Sequence, residues 1–349
     1  MNNKLRIAIV SKADSYGGGA SRVAEELAQE FLKDNNLDVT HFVTWSGKGF
    51  NALRKPAYGS KAKLIRSLMR KQKRRGYVEY LPFELLGLRE NLIHKNYDIV
   101  HFHDIAESYS IKSLDWLSTR TKVAWTFHDC SPFTGGCLYP GDCERYKENC
   151  GQCPQLGIWP LNTKKDKTPT LLKIKSDILH KGNIHCIAPS HWMADLALAS
   201  GNLKDRPHVI PNSVDLNIYR PQNKADIREK LGLPQNRLIL LYTAGWLGDE
   251  RKGAKDVAEL ARRLADYNPL ILAVGRFSFE AKKNFKDVDV HFSGLFDNKQ
   301  DLANHYAACD LACVLSTQDN LPLTVIEAMG TGVPVLGFRT GGIPEMIID

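Results

Sequence analysis

The stretch from Leu311 to Val335 limits the fold more than any other part of the chain. Leu311-Ala-Cys-Val-Leu315 is an apolar run of the kind buried on both faces of a parallel sheet. Ser316-Thr-Gln-Asp-Asn320 is a polar turn, and Pro322 suits the first turn of a helix, where its missing N–H costs nothing. Gly330 and Gly332 end that helix, and Val333–Phe338 is apolar and β-prone. Strand, turn, helix and strand make the repeating unit of a doubly wound α/β domain. Asp319 then sits on a loop at a strand's C-terminal end, and Glu327 on the helix that follows. Backbone N–H groups near Leu321–Thr324 open on the same crevice, where they can hold a phosphate while the carboxylates hold sugar hydroxyls. Taken singly, either acid is more often a solvated or capping group.

A chain of 349 residues exceeds what one hydrophobic core holds, so two domains are expected, divided near residue 214. With 43% hydrophobic and 25% charged residues it has the composition of an ordinary globular protein, and no run of about 18 apolar residues suggests a transmembrane helix. Met1–Val10 leads into a strand without the apolar core of a signal peptide, which points to the cytoplasm. The net charge of +8 is concentrated in Leu53–Val78, which holds ten Lys or Arg and no acid. Within it, Leu64, Ile65, Leu68 and Met69 fall at helical spacing in the basic run Lys61–Arg75. A solvated helix face and a contact with anionic lipid are both open readings. Nucleic acid is disfavoured, because no recognised binding module accompanies the charge.

The first half repeats the strand–loop–helix pattern. Leu5–Ser11 is a strand, Lys12–Ser21 a glycine-rich loop containing Gly17-Gly18-Gly19, and Ala20–Lys33 a helix with Val23, Leu27 and Phe31 in its stripe. The loop is not Gly-x-Gly-x-x-Gly and no ribose-binding acid follows, so a dehydrogenase is disfavoured. Asp98–His103 and Thr121–Phe127 are strands whose ends carry His101, His103, Asp104, His128 and Asp129. C-terminal strand ends face the ligand crevice, which makes these residues candidates by placement.

An insertion at 130–160 then carries Cys137, Cys143, Cys150 and Cys153. Four thiolates can complete a tetrahedral zinc shell, and a loop poor in apolar residues needs a staple. The closing Cys-x2-Cys fits that use, whereas the first pair is spaced more loosely than common zinc pairs. Structural zinc, free thiols and a labile disulfide all remain open on spacing alone. From Leu238 the doubly wound pattern restarts, and Arg251 and Lys252 fall at a strand end, where a cationic pair would neutralise a diphosphate.

Together these stretches resemble retaining glycosyltransferases of family 4. The segments that carry the resemblance are Gly17-Gly18-Gly19, Thr126-Phe127-His128, Val209–Asp215, Asp319…Glu327 with Gly332-Val-Pro-Val335, and Thr340-Gly-Gly-Ile-Pro-Glu345. The insertion after His128-Asp129 is similar to that of a surface-polysaccharide subgroup. The resemblance implies a GT-B fold: α/β, with two doubly wound Rossmann-like domains facing a cleft. Residues 1–214 would form the acceptor side and 215–349 the nucleotide-sugar side. The family continues beyond Gly-Gly-Ile-Pro-Glu, so the second domain is expected to be incomplete.

The resemblance also assigns roles. Gly18 and Gly19 would lie under the donor diphosphate, and His128 by the donor sugar. Arg251 and Lys252 would bind the diphosphate, and Asp319 the sugar hydroxyls. The backbone of Asn320, Leu321, Leu323 and Thr324 would hold sugar and phosphate, and Glu327 the ribose. Asp319 stands where the family usually has Glu, and Trp246 where it often has Arg. The implied activity is transfer from a UDP- or GDP-sugar to a saccharide or lipid-linked hydroxyl with retained configuration, in surface polysaccharide or lipopolysaccharide synthesis. The implied setting is cytoplasmic, at the inner membrane face. No cofactor is required for that chemistry, so zinc would be structural. The rival readings are an inactive sugar-nucleotide binder or assembly protein, and a GT-B epimerase.

Overall fold

Ile7-Ala-Ile-Val10 is buried throughout because β1 (Leu5–Ala13) runs through the middle of a sheet, covered on both faces. The computed structural model describes residues 4–277 and 279–348. Its first compact unit ends at Ile210 and its second begins at Pro211. The expected division near residue 214 falls slightly later. Asn212 already belongs with the second unit, since its Nδ2 donates to the Leu321 carbonyl at 2.9 Å.

The first unit is built on β1, β2 (Leu37–Trp45), β3 (Arg54–Pro56), β4 (Ile99–Phe102), β5 (Lys122–Thr126), β6 (Ile184–Ala188) and β7 (His208–Val209). They form one sheet in the order β3-β2-β1-β4-β5-β6-β7, with every pair parallel. Helix Gly19–Phe31 packs through Ala24 and Ala28, with Leu27 and Phe31 at the edge of the contact. The expected stripe of Val23, Leu27 and Phe31 is therefore rotated toward the small alanines, which let the helix approach the sheet.

The second unit contains β8 (Ile239–Trp246), β9 (Leu270–Arg276), β10 (Val290–Gly294), β11 (Leu311–Val314) and β12 (Val335–Gly337). Its order is β10-β9-β8-β11-β12, again all parallel. In each sheet the winding direction reverses once, between β1 and β4 and between β8 and β11. Ligands bind outside the carboxyl ends of strands at such reversals. The glycine loop and His103 lie at the first reversal; Arg251, Lys252 and Asp319 lie at the second.

The basic run forms helix Ala62–Arg74 as expected, with Ile65 buried and Leu64 exposed. The ten cations of Leu53–Val78 are not one solvated set. Arg54 is buried on Glu25, and Lys73 pairs with Glu107. Lys61, Lys63, Arg70, Lys71, Arg74 and Arg75 remain exposed.

Candidate functional site

In the second unit, Asp319 is buried at the end of the loop after β11, and two cations reach it. Lys252 Nζ lies 2.5 Å from its Oδ2, and Arg251 Nη1 lies 3.7 Å from its Oδ1. Both come from the turn after β8, where Asp249 caps the Arg251 N–H at 3.1 Å. Arg251 also donates to the Gln318 carbonyl at 2.6 Å, and Ser316 Oγ to Asp319 at 3.2 Å. Burial pushes the Asp319 carboxyl up, but the charges of Lys252 and Arg251 and the hydrogen bonds from Lys252 and Ser316 outweigh it. The result is a lowered pKa and a carboxylate held charged at neutral pH.

Helix Leu323–Gly330 begins directly beyond this cluster. Pro322 occupies its N-cap rather than the first turn, and no side chain caps it, so its first N–H groups stay open to an anion. Asn320 and Leu321 are buried between Asp319 and the helix. Glu327 lies one turn further on, buried, and accepts a hydrogen bond from Tyr306 at 2.7 Å. The structure thus brings Arg251, Lys252, Asp319, Asn320, Leu321, Leu323, Thr324 and Glu327 into one region. Sequence reasoning missed Ser316 and Tyr306; the position of Ser316 at the end of an apolar strand was the available signal.

Gly341 closes the floor. With φ +59 it is in the left-handed region, and a Cβ there would stand 1.8 Å from the Asp319 carbonyl oxygen. Gly341→Ala is expected to destabilise the protein by about 3 kcal/mol through that clash and the backbone strain, read as a lowered denaturant midpoint with unchanged m. A shift below about 0.5 kcal/mol would show that the loop yields freely.

In the first unit, Gly18 is at φ +108 and caps helix Gly19–Phe31 without a side chain, and a Cβ on Gly18 or Gly19 would meet nothing within 4 Å. The loop is held from beneath. Asp14 accepts from the Tyr16 N–H at 3.1 Å, and buried Glu25 from the Ser15 N–H at 2.7 Å. The open N–H groups at this helix start can approach a phosphate closely.

His101, His103 and His128 form a ladder at the ends of β4 and β5. His103 Nδ1 and His128 Nε2 are 3.0 Å apart, and His101 Nε2 is 2.8 Å from Thr126 Oγ1. The His101–His103 and His103–His128 ring centroids are 4.2 and 5.3 Å apart. Burial, and then the neighbouring His128, takes His101 down to about 4; burial takes His128 to about 4 against the pull of Asp104. Burial, then the neighbouring histidines, also holds His103 well below its ordinary value. At neutral pH these rings are neutral hydrogen-bonding groups. Their imidazole NMR signals are expected to hold constant from pH 8 to about pH 5, with a midpoint near 6.5 contradicting the burial. A histidine pKa lowered by folding gives stability that is lost as pH falls from 6.5 toward 4. Glu79 and Asp129, raised mainly by burial to about 7 and about 6, act in the opposite sense. Individual imidazole signals, unlike the global stability curve, separate the two.

Sequence reasoning named Asp104 and Asp129 but missed the other acids and the cations around this ladder. Lys12 Nζ is 3.1 Å from Asp104, which Ser21 Oγ also reaches at 3.0 Å. Glu79 lies 3.9 Å from buried Lys175, and Glu107 accepts from the Trp159 indole at 2.7 Å. Glu79 and Glu107 have φ values of 59 and 61, unusual for side-chain-bearing residues. They sit in irregular segments where periodicity carries no information. In the insertion, Cys137, Cys143, Cys150 and Cys153 line one small cavity.

These geometries can be set beside known proteins. A family model described as Glycosyltransferase Family 4 matches residues 17–218, more than half of the chain, and one described as Glycosyl transferases group 1 matches 223–349. This chain belongs to glycosyltransferase family 4. A putative colanic acid biosynthesis glycosyl transferase, WcaC of Escherichia coli K12, is 26% identical over 71% of this family 4 chain and 62% of its own length. An N-acetyl-alpha-D-glucosaminyl L-malate synthase of Bacillus anthracis is 28% identical over 39% of this chain and 36% of its own. The family 4 chain therefore spans less than two thirds of the length of these curated relatives. Among solved structures, sucrose-phosphate synthase of Thermosynechococcus elongatus matches with TM-score 0.65 and 20% identity, over 99% of this chain and 84% of that one. HepE of Anabaena, solved with UDP and glucose, matches with TM-score 0.61 and 17% identity, over 99% and 83%. At such identities the structural likeness shows the fold alone, and that fold is GT-B: two Rossmann-like domains on parallel sheets.

Proposed function

We propose that this protein moves a sugar from a nucleotide-sugar to a hydroxyl acceptor with retained anomeric configuration. The observation that carries this reading is the convergence of Lys252 and Arg251 on buried Asp319, beside the uncapped start of helix Leu323–Gly330. A nucleoside diphosphate needs both a cationic pair and open backbone donors.

In the reaction, the bond between the anomeric carbon and the diphosphate oxygen breaks, and the acceptor oxygen bonds to the same face of that carbon. The acceptor proton passes to the departing phosphate oxygen. Arg251, Lys252 and the N–H groups of Leu321, Leu323 and Thr324 stabilise the charge that grows on the leaving group, the largest contribution in reactions of this type. Asp319 orients sugar hydroxyls, Glu327 binds the ribose, Gly18 and Gly19 admit the diphosphate, and neutral His128 hydrogen-bonds the sugar. A shorter acid at 319 leaves room that the usual Glu would fill. The acceptor is a saccharide or a lipid-linked saccharide, a reading supported by the colanic acid biosynthesis for which the Escherichia coli relative is named. Among the described residues no helix is long and apolar enough to cross a membrane. The exposed cations of helix Ala62–Arg74, with Leu64 beside them, suit an anionic membrane surface.

The test is a panel of UDP- and GDP-sugars offered with saccharide acceptors, reading diphosphate release, label in the acceptor and the product's anomeric coupling constant. A product with the donor's configuration supports the proposal. Inversion would remove the retaining mechanism. Binding without release for every donor would favour a sugar-nucleotide-binding role.

A further inference from the structure

The cavity enclosed by Cys137, Cys143, Cys150 and Cys153 measures about 20 Å³, and Arg145, Tyr146, Leu161 and Thr168 complete its wall. That space accommodates one water-sized particle or one ion and excludes an organic ligand. The backbone around it takes an unusual path. Cys150 and Gln152 have φ values of 60 and 44, so two side-chain-bearing residues flank Gly151 in the left-handed region. Such strain persists only where the surroundings over-determine it. Here the Cys150 N–H donates to the Arg145 carbonyl at 2.8 Å, the Gly151 N–H to Thr168 Oγ1 at 3.1 Å and the Cys153 N–H to Asp166 Oδ2 at 2.9 Å. All eight cysteines are free thiols, and four of them share this one cavity instead of standing as two separate pairs.

We propose that Cys137, Cys143, Cys150 and Cys153 form a tetrathiolate site for one Zn²⁺ that holds the turns of the insertion to one another. Zinc accepts four sulfurs in a tetrahedron at about 2.3 Å, with no donor set left open for catalysis. Each thiol gives its proton to solvent as its sulfur binds. The site then carries two net negative charges, which Arg145 at the cavity wall partly offsets. Among the described residues no group of three or more His, Cys, Asp or Glu is drawn closely enough to hold a metal as it stands. Closing the site draws the four sulfurs together around the ion. The staple matters because the insertion also carries Trp159, whose indole donates to Glu107 at 2.7 Å and whose ring lies 4.9 Å from Lys12 Nζ, the partner of Asp104.

The test is metal analysis of the full-length chain purified without chelator, followed by Co²⁺ exchange. One zinc per chain, surviving dialysis, and a cobalt form with thiolate charge-transfer and tetrahedral d–d bands are expected. Cys150→Ser and Cys153→Ser should lower zinc content at least tenfold, whereas Cys186→Ser should leave it unchanged. Chelation should speed proteolysis within 137–161. Less than about a tenth of an equivalent of zinc in the wild-type chain would overturn the proposal, as would a mass consistent with two disulfides or zinc retained in both Cys150→Ser and Cys153→Ser. The wild-type reading decides even if the variants fail to fold.

Discussion

Replacing Arg251 and Lys252 together by alanine is expected to lower turnover on nucleotide-sugars by about 10³-fold or more. Removing one donor that stabilises a developing anion costs about 10²–10³ in kcat, and here two positive charges go at once. The single Lys252→Ala change should also destabilise the fold, because the buried Asp319 carboxylate loses the ammonium at 2.5 Å and keeps only the more distant Arg251 and the Ser316 hydroxyl. The expected loss is about 3 kcal/mol, at the low end for buried pairs because Lys252 keeps some contact with water. Adding Asp319→Asn should recover most of that stability and none of the activity, which separates the structural from the chemical part. The acid side has a definite sign. Asp319 has a lowered pKa in the fold, so its contribution is present above the ordinary carboxylate range and is lost as pH falls through the folded value. Denaturant midpoints and steady-state kinetics on the same preparations check all three outcomes. Full turnover in the Arg251→Ala, Lys252→Ala double variant would remove the phosphate assignment.

His128→Ala is expected to lower kcat by about 10²-fold with a smaller change in donor KM, as for a group whose contact strengthens in the transition state. Because the ring is neutral, with its pKa taken to about 4 by burial, the wild-type rate should show no inflection near pH 6.5 that disappears in the variant. A rise in KM with kcat unchanged would make His128 a ground-state binding residue. An inflection at 6.5 lost on substitution would make it an acid or base.

The second unit was readable from the sequence because its candidate residues stand at strand ends within a regular pattern. Leu311–Val314 and helix Leu323–Gly330 flank a short turn, so counting alone put Asp319 and Glu327 near each other. Arg251 and Lys252 were legible for the same reason. The first unit was readable as architecture and much less as a site. Glu79 and Glu107 lie in turns with left-handed backbone, and nothing in a linear pattern shows that Glu79 comes near Asp104 and Asp129. Glu25 sits in the first turns of an amphipathic helix and reads as a surface acid, yet it is buried on Arg54 and supports the glycine loop. The three-residue strand Arg54–Pro56 was hidden within a basic run, where charge obscures β propensity.

The most direct test of the donor assignment is isothermal titration of UDP and GDP into the wild-type chain and into the double variant Arg251→Ala, Lys252→Ala. One of the two nucleotides is expected to bind the wild type with one-to-one stoichiometry and to bind the variant at least about 100-fold more weakly, since two charge-assisted contacts to the diphosphate are gone. Equal affinity in the two proteins would contradict the placement of the diphosphate at Arg251 and Lys252, and with it the proposed transfer.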